Sequence, residues 1–374
     1  MEGKRPGPPS PSDYYGKPAA TGQLETLRES DVAAITGYLT DPHALNVPSV
    51  ESVFFESILK SAHLSDEMRQ LARDYHDNGF VVLDNIFEPE LIDSLAGRYE
   101  WMFDPATTDT LPPHAAELFD QDPMRRLDAW HVCDEVHKLA CHPRILEILE
   151  LLYGRRSIPF QTLNFLYGTE QPAHSDAIHF SSIPSGFMCG VWVALEDSTL
   201  ENGALGYYPG SHKLPEVQLA QLGIWGQQGY TAHGGDYGRF ENYVRALVKA
   251  RGLEEKRLEV PKGSALIWSS NLLHGGTAIS RPGATRMSQV THYYFEGCTY
   301  YAPILSNAAL GELRLKEIRD LRTGKSVPHT LNGEALTITP LEDGRSRISR
   351  KGSKANPLSR TFETFKKRLG LGKS

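Results

Sequence analysis

The chain has little cysteine and no long apolar run. Its four cysteines, Cys133, Cys141, Cys189 and Cys298, form no Cys-x-x-Cys pair and no framework spacing. That pattern excludes a disulfide-stapled scaffold or a zinc ribbon and suits reduced thiols. No stretch approaches the roughly 18 consecutive apolar residues of a membrane-spanning helix. The opening residues, rich in Pro, Gly and Ser, lack the apolar centre of a secretory signal. The expectation is a soluble protein of the cytoplasm.

Charge is distributed unevenly. The net charge is −7. From Arg345 to Lys373 there are ten basic residues and one acid, a surplus of nine positive charges, which leaves −16 on the remainder. An acidic body argues against nucleic acid as a partner. Within the basic tail, Leu358, Phe362, Phe365 and Leu369 fall at helical spacing. An amphipathic helix over 358–369 is therefore expected, with peripheral contact to an anionic membrane as its use. The expected organisation is a disordered segment over 1–22, one catalytic domain over 23–320 and a polar basic tail over 321–374.

Local signals place the scaffold. Ser65 reads as an N-cap and Asn78-Gly79 as the stop of a helix, followed by a strand over 80–84. Leu91, Leu95, Tyr99 and Met102 give an apolar stripe to a helix over 88–103, and Gly154 ends another over 143–153. Strands are expected over 160–167, 187–195 and 285–295. The segment 214–260 mixes a Gly-rich loop with a helix over 242–251 and is a candidate lid.

The chemistry concentrates in 171–180, around His174-Ser175-Asp176. Residues i and i+2 of a strand project from one face. An imidazole and a carboxylate can then enter one cavity together, two members of a 2-His-1-carboxylate triad for non-haem Fe(II). His274 closes the strand that starts at Ala265 and is followed by a glycine turn. On the next strand Arg286, Ser288, Val290, His292 and Tyr294 share a face. Arg286 can pair bidentately with a carboxylate while Ser288 adds a hydroxyl, which points to an anionic dicarboxylate co-substrate.

In this order, His174-x-Asp176, 191–197 (Val-Trp-Val-Ala-Leu-Glu-Asp), 201–213 with its Pro-Gly-Ser-His, His274 and Arg286 resemble the phytanoyl-CoA dioxygenase family, to which ectoine hydroxylase is related. The resemblance covers about 64–306. It implies a mainly β fold with flanking helices, built on a double-stranded β-helix of the jelly-roll or cupin kind. It also implies Fe(II) held by His174, Asp176 and His274, with 2-oxoglutarate and O2 as co-substrates and a small molecule as substrate. Arg286 and Ser288 would hold the far carboxylate of 2-oxoglutarate, with Trp192, Asn164 and Arg126 as further contacts.

Asp176 disfavours halogenation, since halogenating relatives carry a small residue there. The spacing from His274 to Arg286 is one residue longer than the family pattern, which makes Arg281 a rival. His179, off register on the strand, is expected to face away from His174, and Ser211-His212 to close a turn that supports the pocket. The competing class is a jelly-roll binding protein without turnover.

Overall fold

The computed structural model describes residues 46–61, 63–120, 124–226 and 235–351. The expected disorder over 1–22 and the helix over 358–369 lie outside the described residues.

After a short helix over Phe55–Ser61, helix α1 (Asp66–Asn78) begins where the sequence says: Ser65 Oγ accepts the Met68 amide at 3.2 Å. It ends at Gly79, whose φ of 80° is left-handed and costs glycine little. β1 (Phe80–Leu83) follows. The stripe expected over 88–103 is interrupted after α2 (Pro89–Gly97), and a separate short helix, Tyr99–Phe103, carries its remainder. Gly97, with no Cβ, weakens the helix by about 1 kcal/mol. The chain continues through β2 (Arg125–Leu127), α3 (Asp134–Ala140), α4 (Pro143–Tyr153) and β3 (Ser157–Phe165). After β3 come β4 (Ser181–Ile183), β5 (Met188–Ala194), β6 (Leu205–Tyr207), α5 (Gly235–Arg251) and β7 (Lys256–Arg257). The barrel strands end with β8 (Ala265–Ser269), β9 (His274–Gly276), β10 (Ser288–Phe295) and β11 (Thr299–Tyr301).

These strands make a jelly roll. Its larger sheet has the order β1-β8-β5-β10-β3-β2, and smaller sheets β7-β6-β9 and β11-β4 complete the barrel. All the pairings are antiparallel. The large sheet is covered on both faces, so its central strands read as continuous apolar runs. On β5, Val191 and Val193 face the helices, together with Leu95 and Tyr99, Leu149 of α4, and Ile267 and Tyr293. Trp192 points the other way, into a second cluster with Leu163, Leu205, Leu266, Trp268 and Val290. Each such fully buried large side chain contributes about 1.5–3 kcal/mol.

Two parts depart from the sequence reading. Helix α5 starts at Gly235 rather than 242, and Tyr237, Phe240 and Val244 bury against Ile178, Leu273 and Ile304. Gly235 and Gly238 had concealed its first two turns.

The region from 321 to 350 is mostly exposed and polar, and it folds as strands. β12 (Glu312–Leu313), β13 (Ile318–Asp320), β14 (Lys325–Val327), β15 (Thr330–Leu331), β16 (Glu334–Pro340) and β17 (Ser346–Arg350) form two antiparallel ribbons, β13-β14 and β12-β17-β16-β15. Asn332-Gly333 is the two-residue loop joining β15 to β16, with φ of 52° and 80°. Both residues have positive φ, as a type I′ hairpin turn requires. The basic composition had hidden a strand signal.

Candidate active site

The backbones of His174 and His274 pair with each other, each amide donating to the other's carbonyl at 2.9 Å. This pairing puts the two imidazoles side by side, with ring centroids 4.6 Å apart. Each ring is then fixed by its own chain: Nδ1 of His174 lies 3.0 Å from the Pro172 carbonyl, and Nδ1 of His274 lies 3.0 Å from that of Leu272. A carbonyl only accepts, so both Nδ1 atoms carry the proton and both Nε2 lone pairs are free for a ligand. Burial pushes the His174 imidazole down to about 4, so it remains neutral near pH 7, as a metal ligand must be.

Asp176 completes the cluster. Its Oδ1 stands 3.8 Å from His274 Nε2 and 4.0 Å from His174 Nε2. One donor atom from each of the three residues lies within 4.8 Å of the others, and all three residues are buried. Asp176 is not on a strand; it opens a 3-10 turn, Asp176–Ile178, while Ser175 before it is extended. The extended Ser175 keeps residues 174 and 176 on the same side, which is all the spacing argument needs.

Burial works against the Asp176 charge, but His274, His292 and His174 outweigh it and hold the carboxyl below its usual range. Its second oxygen, Oδ2, accepts the Trp268 indole N–H at 2.7 Å and lies 3.6 Å from His292 Nε2. Trp268 fits there because residue 190 is glycine: a Cβ at 190 would come within 2.4 Å of the indole. His274 begins a strand rather than ending one. Gly275 and Gly276 follow because the 169–173 backbone passes too close for a Cβ, 2.6 Å and 2.5 Å away.

The cluster opens into a cavity of about 660 Å³, within the range of metabolite sites. Arg286, just ahead of β10, enters this cavity beside Trp192, its guanidinium 5.6 Å from that ring. It donates to the Gly203 carbonyl at 3.0 Å, yet its buried Nε has no partner, and no acid among the described residues pairs with it. Burial pushes its pKa down to about 10. Ser288 pairs across the sheet with Phe165 and Ala194, so it shares their inner face. Its hydroxyl and the Trp192 indole N–H are also buried without partners. A buried cation and the unsatisfied Trp192 indole in the cavity wall, with the unsatisfied Ser288 hydroxyl two residues along β10 from Val290 of that wall, suit a carboxylate.

Two proposed contacts are misplaced by the sequence reading. Arg126 and Asn164 oppose each other across β2 and β3 and turn to the helical face. Asn164 donates to Tyr99 Oη at 3.1 Å and to Gln289 Oε1 at 3.3 Å. Arg126 donates to the carbonyls of Met102 and Phe119 at 2.9 Å and 3.2 Å. Its neighbour Arg125 lines the cavity instead, as the alternation of a strand requires.

His179 also differs from expectation: the 3-10 turn rotates it into the cavity wall, 5.2 Å from the Tyr237 ring of α5. It is not a member of the metal cluster. Arg281 lies on the surface, 3.9 Å from Glu201. Ser211 supports the site as expected, its Oγ accepting the Leu273 amide at 2.8 Å. The sequence reading gave no role to Trp268, Gln161 or Lys316, all of which line the cavity.

Two imidazoles and a carboxylate in a jelly roll, with an arginine that lacks an acid partner in the same cavity, define the site of a non-haem iron oxygenase that uses an oxo-acid co-substrate. The chain belongs to the phytanoyl-CoA dioxygenase family, whose model matches residues 75–288. Among curated relatives, peroxisomal phytanoyl-CoA dioxygenase of Rattus norvegicus is 22% identical over 302 residues, covering 71% of this chain and 82% of the rat protein. Phytanoyl-CoA dioxygenase domain-containing protein 1 of Mus musculus is 33% identical over 89 residues, 22% of this chain. That match spans about a third of the mouse protein's own length (31%). Among solved structures, EctD from S. alaskensis with 2-oxoglutarate and 5-hydroxyectoine is 18% identical, with a TM-score of 0.47, covering 74% of this chain and 89% of EctD. The epimerase SnoN from nogalamycin biosynthesis is 20% identical, with a TM-score of 0.47, covering 71% of this chain and 96% of SnoN.

Proposed function

We propose that this protein is an Fe(II)- and 2-oxoglutarate-dependent dioxygenase that hydroxylates an unactivated C–H bond of a small molecule or of a carrier- or lipid-linked metabolite. The balance is R–H + 2-oxoglutarate + O2 → R–OH + succinate + CO2. The observation that carries the reading is the pairing, in one cavity, of the His174-Asp176-His274 cluster with a buried Arg286 that has no acid partner.

When bound, iron with 2-oxoglutarate supplies the activation of O2 that oxidises the substrate. The chain supplies geometry. His174 and His274 offer neutral Nε2 donors whose orientation is fixed by the Pro172 and Leu272 carbonyls. Asp176 offers Oδ1 while Trp268 occupies Oδ2, which favours single-oxygen coordination and leaves room for co-substrates. Arg286, Ser288 and Trp192 would receive the distal carboxylate in a dry pocket, where charge-assisted hydrogen bonds are strong. With Tyr237 and Phe240 of its first two turns packed on the 171–180 stretch, α5 is placed to restrict access, and Gln171 donates to Tyr237 Oη at 3.0 Å.

Among the described residues no helix is long and apolar enough to cross a membrane. A cytoplasmic address, with membrane contact through the basic tail, belongs to the same proposal. The test is substrate-stimulated succinate release with O2 uptake. The expected result is activity in the intact protein and none in Asp176→Ala; undiminished turnover in the variant removes the carboxylate from the mechanism.

A further inference from the structure

The ribbon formed after β11 brings one more charge to the cavity. The Tyr301–Leu315 bridge and the bond from the Lys316 amide to the Tyr300 carbonyl, 3.0 Å, set Lys316 beside β11, and its side chain lines the cavity. It comes from beyond residue 288, where the family model ends. Its ammonium sits 4.5 Å from the centroid of the Phe180 ring. Phe180 in turn lies 4.8 Å from the His292 ring, and His292 Nε2 lies 3.6 Å from Asp176. Two rings, Phe180 and His292, therefore connect Lys316 to Asp176 of the metal cluster.

Among the described residues no acid forms an ion pair with this ammonium. Asp128, the acid whose field reaches it, spends Oδ1 on the Thr162 amide at 2.8 Å and the Trp130 indole at 3.2 Å. Burial pushes the Lys316 pKa below its ordinary value. A half-buried cation on an aromatic face, open to a cavity and lacking an acid, is held at a desolvation cost that an anion would offset. The co-substrate does not serve that purpose, because Arg286, Ser288 and Trp192 already form a separate set of unsatisfied donors around the carboxylate it would bring.

We infer that Lys316 is a substrate-recognition residue, and that the substrate carries a carboxylate or a phosphate that it binds while the carbon to be oxidised faces the metal cluster. This rests on the dioxygenase reading and narrows it to anionic substrates. Gln161 and His179, on the same cavity wall, are placed to add hydrogen bonds.

The test uses the full chain with Fe(II) and 2-oxoglutarate and a panel of small carboxylic acids and phosphate monoesters. Each is paired with its neutral amide or alcohol. Compounds that stimulate succinate release are expected to be the anions, and the carboxylate and phosphate arms show which group is preferred. Lys316→Met should raise the KM of the active anion tenfold or more, with kcat changed less than threefold and the KM for 2-oxoglutarate unchanged. Lys316→Arg should recover most of the loss.

A second readout needs no turnover. An anion that binds should protect Lys316 from an amine-acylating reagent, measured by mass spectrometry, and its neutral counterpart should not. Neutral compounds that work equally well, an unchanged substrate KM in Lys316→Met, a shift in the 2-oxoglutarate KM instead, or no protection by any anion would each overturn the inference. Failure of the dioxygenase reading is recognised separately: the unmodified protein would then show no visible absorption band on anaerobic addition of Fe(II) and 2-oxoglutarate.

Discussion

Replacing Arg286 by methionine should produce two opposite effects. Burial outweighs the field of Glu196 and lowers the arginine to about 10, a net cost of roughly 3 kcal/mol at about 1.4 kcal/mol per tenfold. The hydrogen bond to the Gly203 carbonyl offsets part of it. Methionine fills similar space without the charge. The protein free of co-substrate should therefore be as stable as the parent or more stable by about 1 kcal/mol, a rise of roughly 1–2 °C in melting temperature for a chain of this size.

The co-substrate should respond in the other direction. Two charge-assisted hydrogen bonds to a carboxylate, lost in a dry pocket, are worth roughly 3–4 kcal/mol. The KM for 2-oxoglutarate in succinate release should rise about 10²- to 10³-fold. Thermal unfolding and a 2-oxoglutarate titration on the same preparation measure both effects. An unchanged KM would place the co-substrate carboxylate elsewhere. A loss of several kcal/mol in stability would mean that Arg286 holds the barrel together.

The two inner tryptophans give a matched pair. In Trp268→Phe, Asp176 Oδ2 loses its 2.7 Å donor, and Fe(II) affinity should fall about 10- to 100-fold. In Trp192→Phe the indole N–H has no protein partner to lose, so Fe(II) affinity should stay within about twofold; equal iron losses would refute the positioning role of Trp268. For the tail, truncation after Lys351 leaves β17 intact and should abolish sedimentation with anionic liposomes while sparing succinate release. Retained sedimentation would end the membrane proposal.

How legible the site was depended on whether a motif carried its own register. His174, Asp176 and His274 could be picked out because a His-x-Asp needs only local extension, which Ser175 provides even though Asp176 opens a turn. Arg286 and Ser288 followed from period-two alternation on one strand. Arg125 and Arg126 are adjacent, so a shift of one position exchanges the cavity-facing arginine for the helix-facing one. Only the pairing of Arg125 with Phe165 and of Arg126 with Asn164 decides between them, and the same pairing removes Asn164 from the pocket.

His179 was misread because a strand was extended through a 3-10 turn. Trp268 and Lys316 were passed over because each acts across more than 90 residues of sequence, on Asp176 and Phe180 respectively. The C-terminal ribbon was concealed by its charge, although Asn332-Gly333 marked its hairpin.

The central claim is that His174, Asp176 and His274 share one Fe(II) beside a 2-oxoglutarate pocket. Anaerobic titration with Fe(II), followed by 2-oxoglutarate under visible spectroscopy, tests it most directly. The expected result is a single iron bound per chain and a weak charge-transfer band that appears only when both are present, with neither in Asp176→Ala. A protein that takes up no iron, or a band that survives the loss of the Asp176 carboxylate, would contradict it.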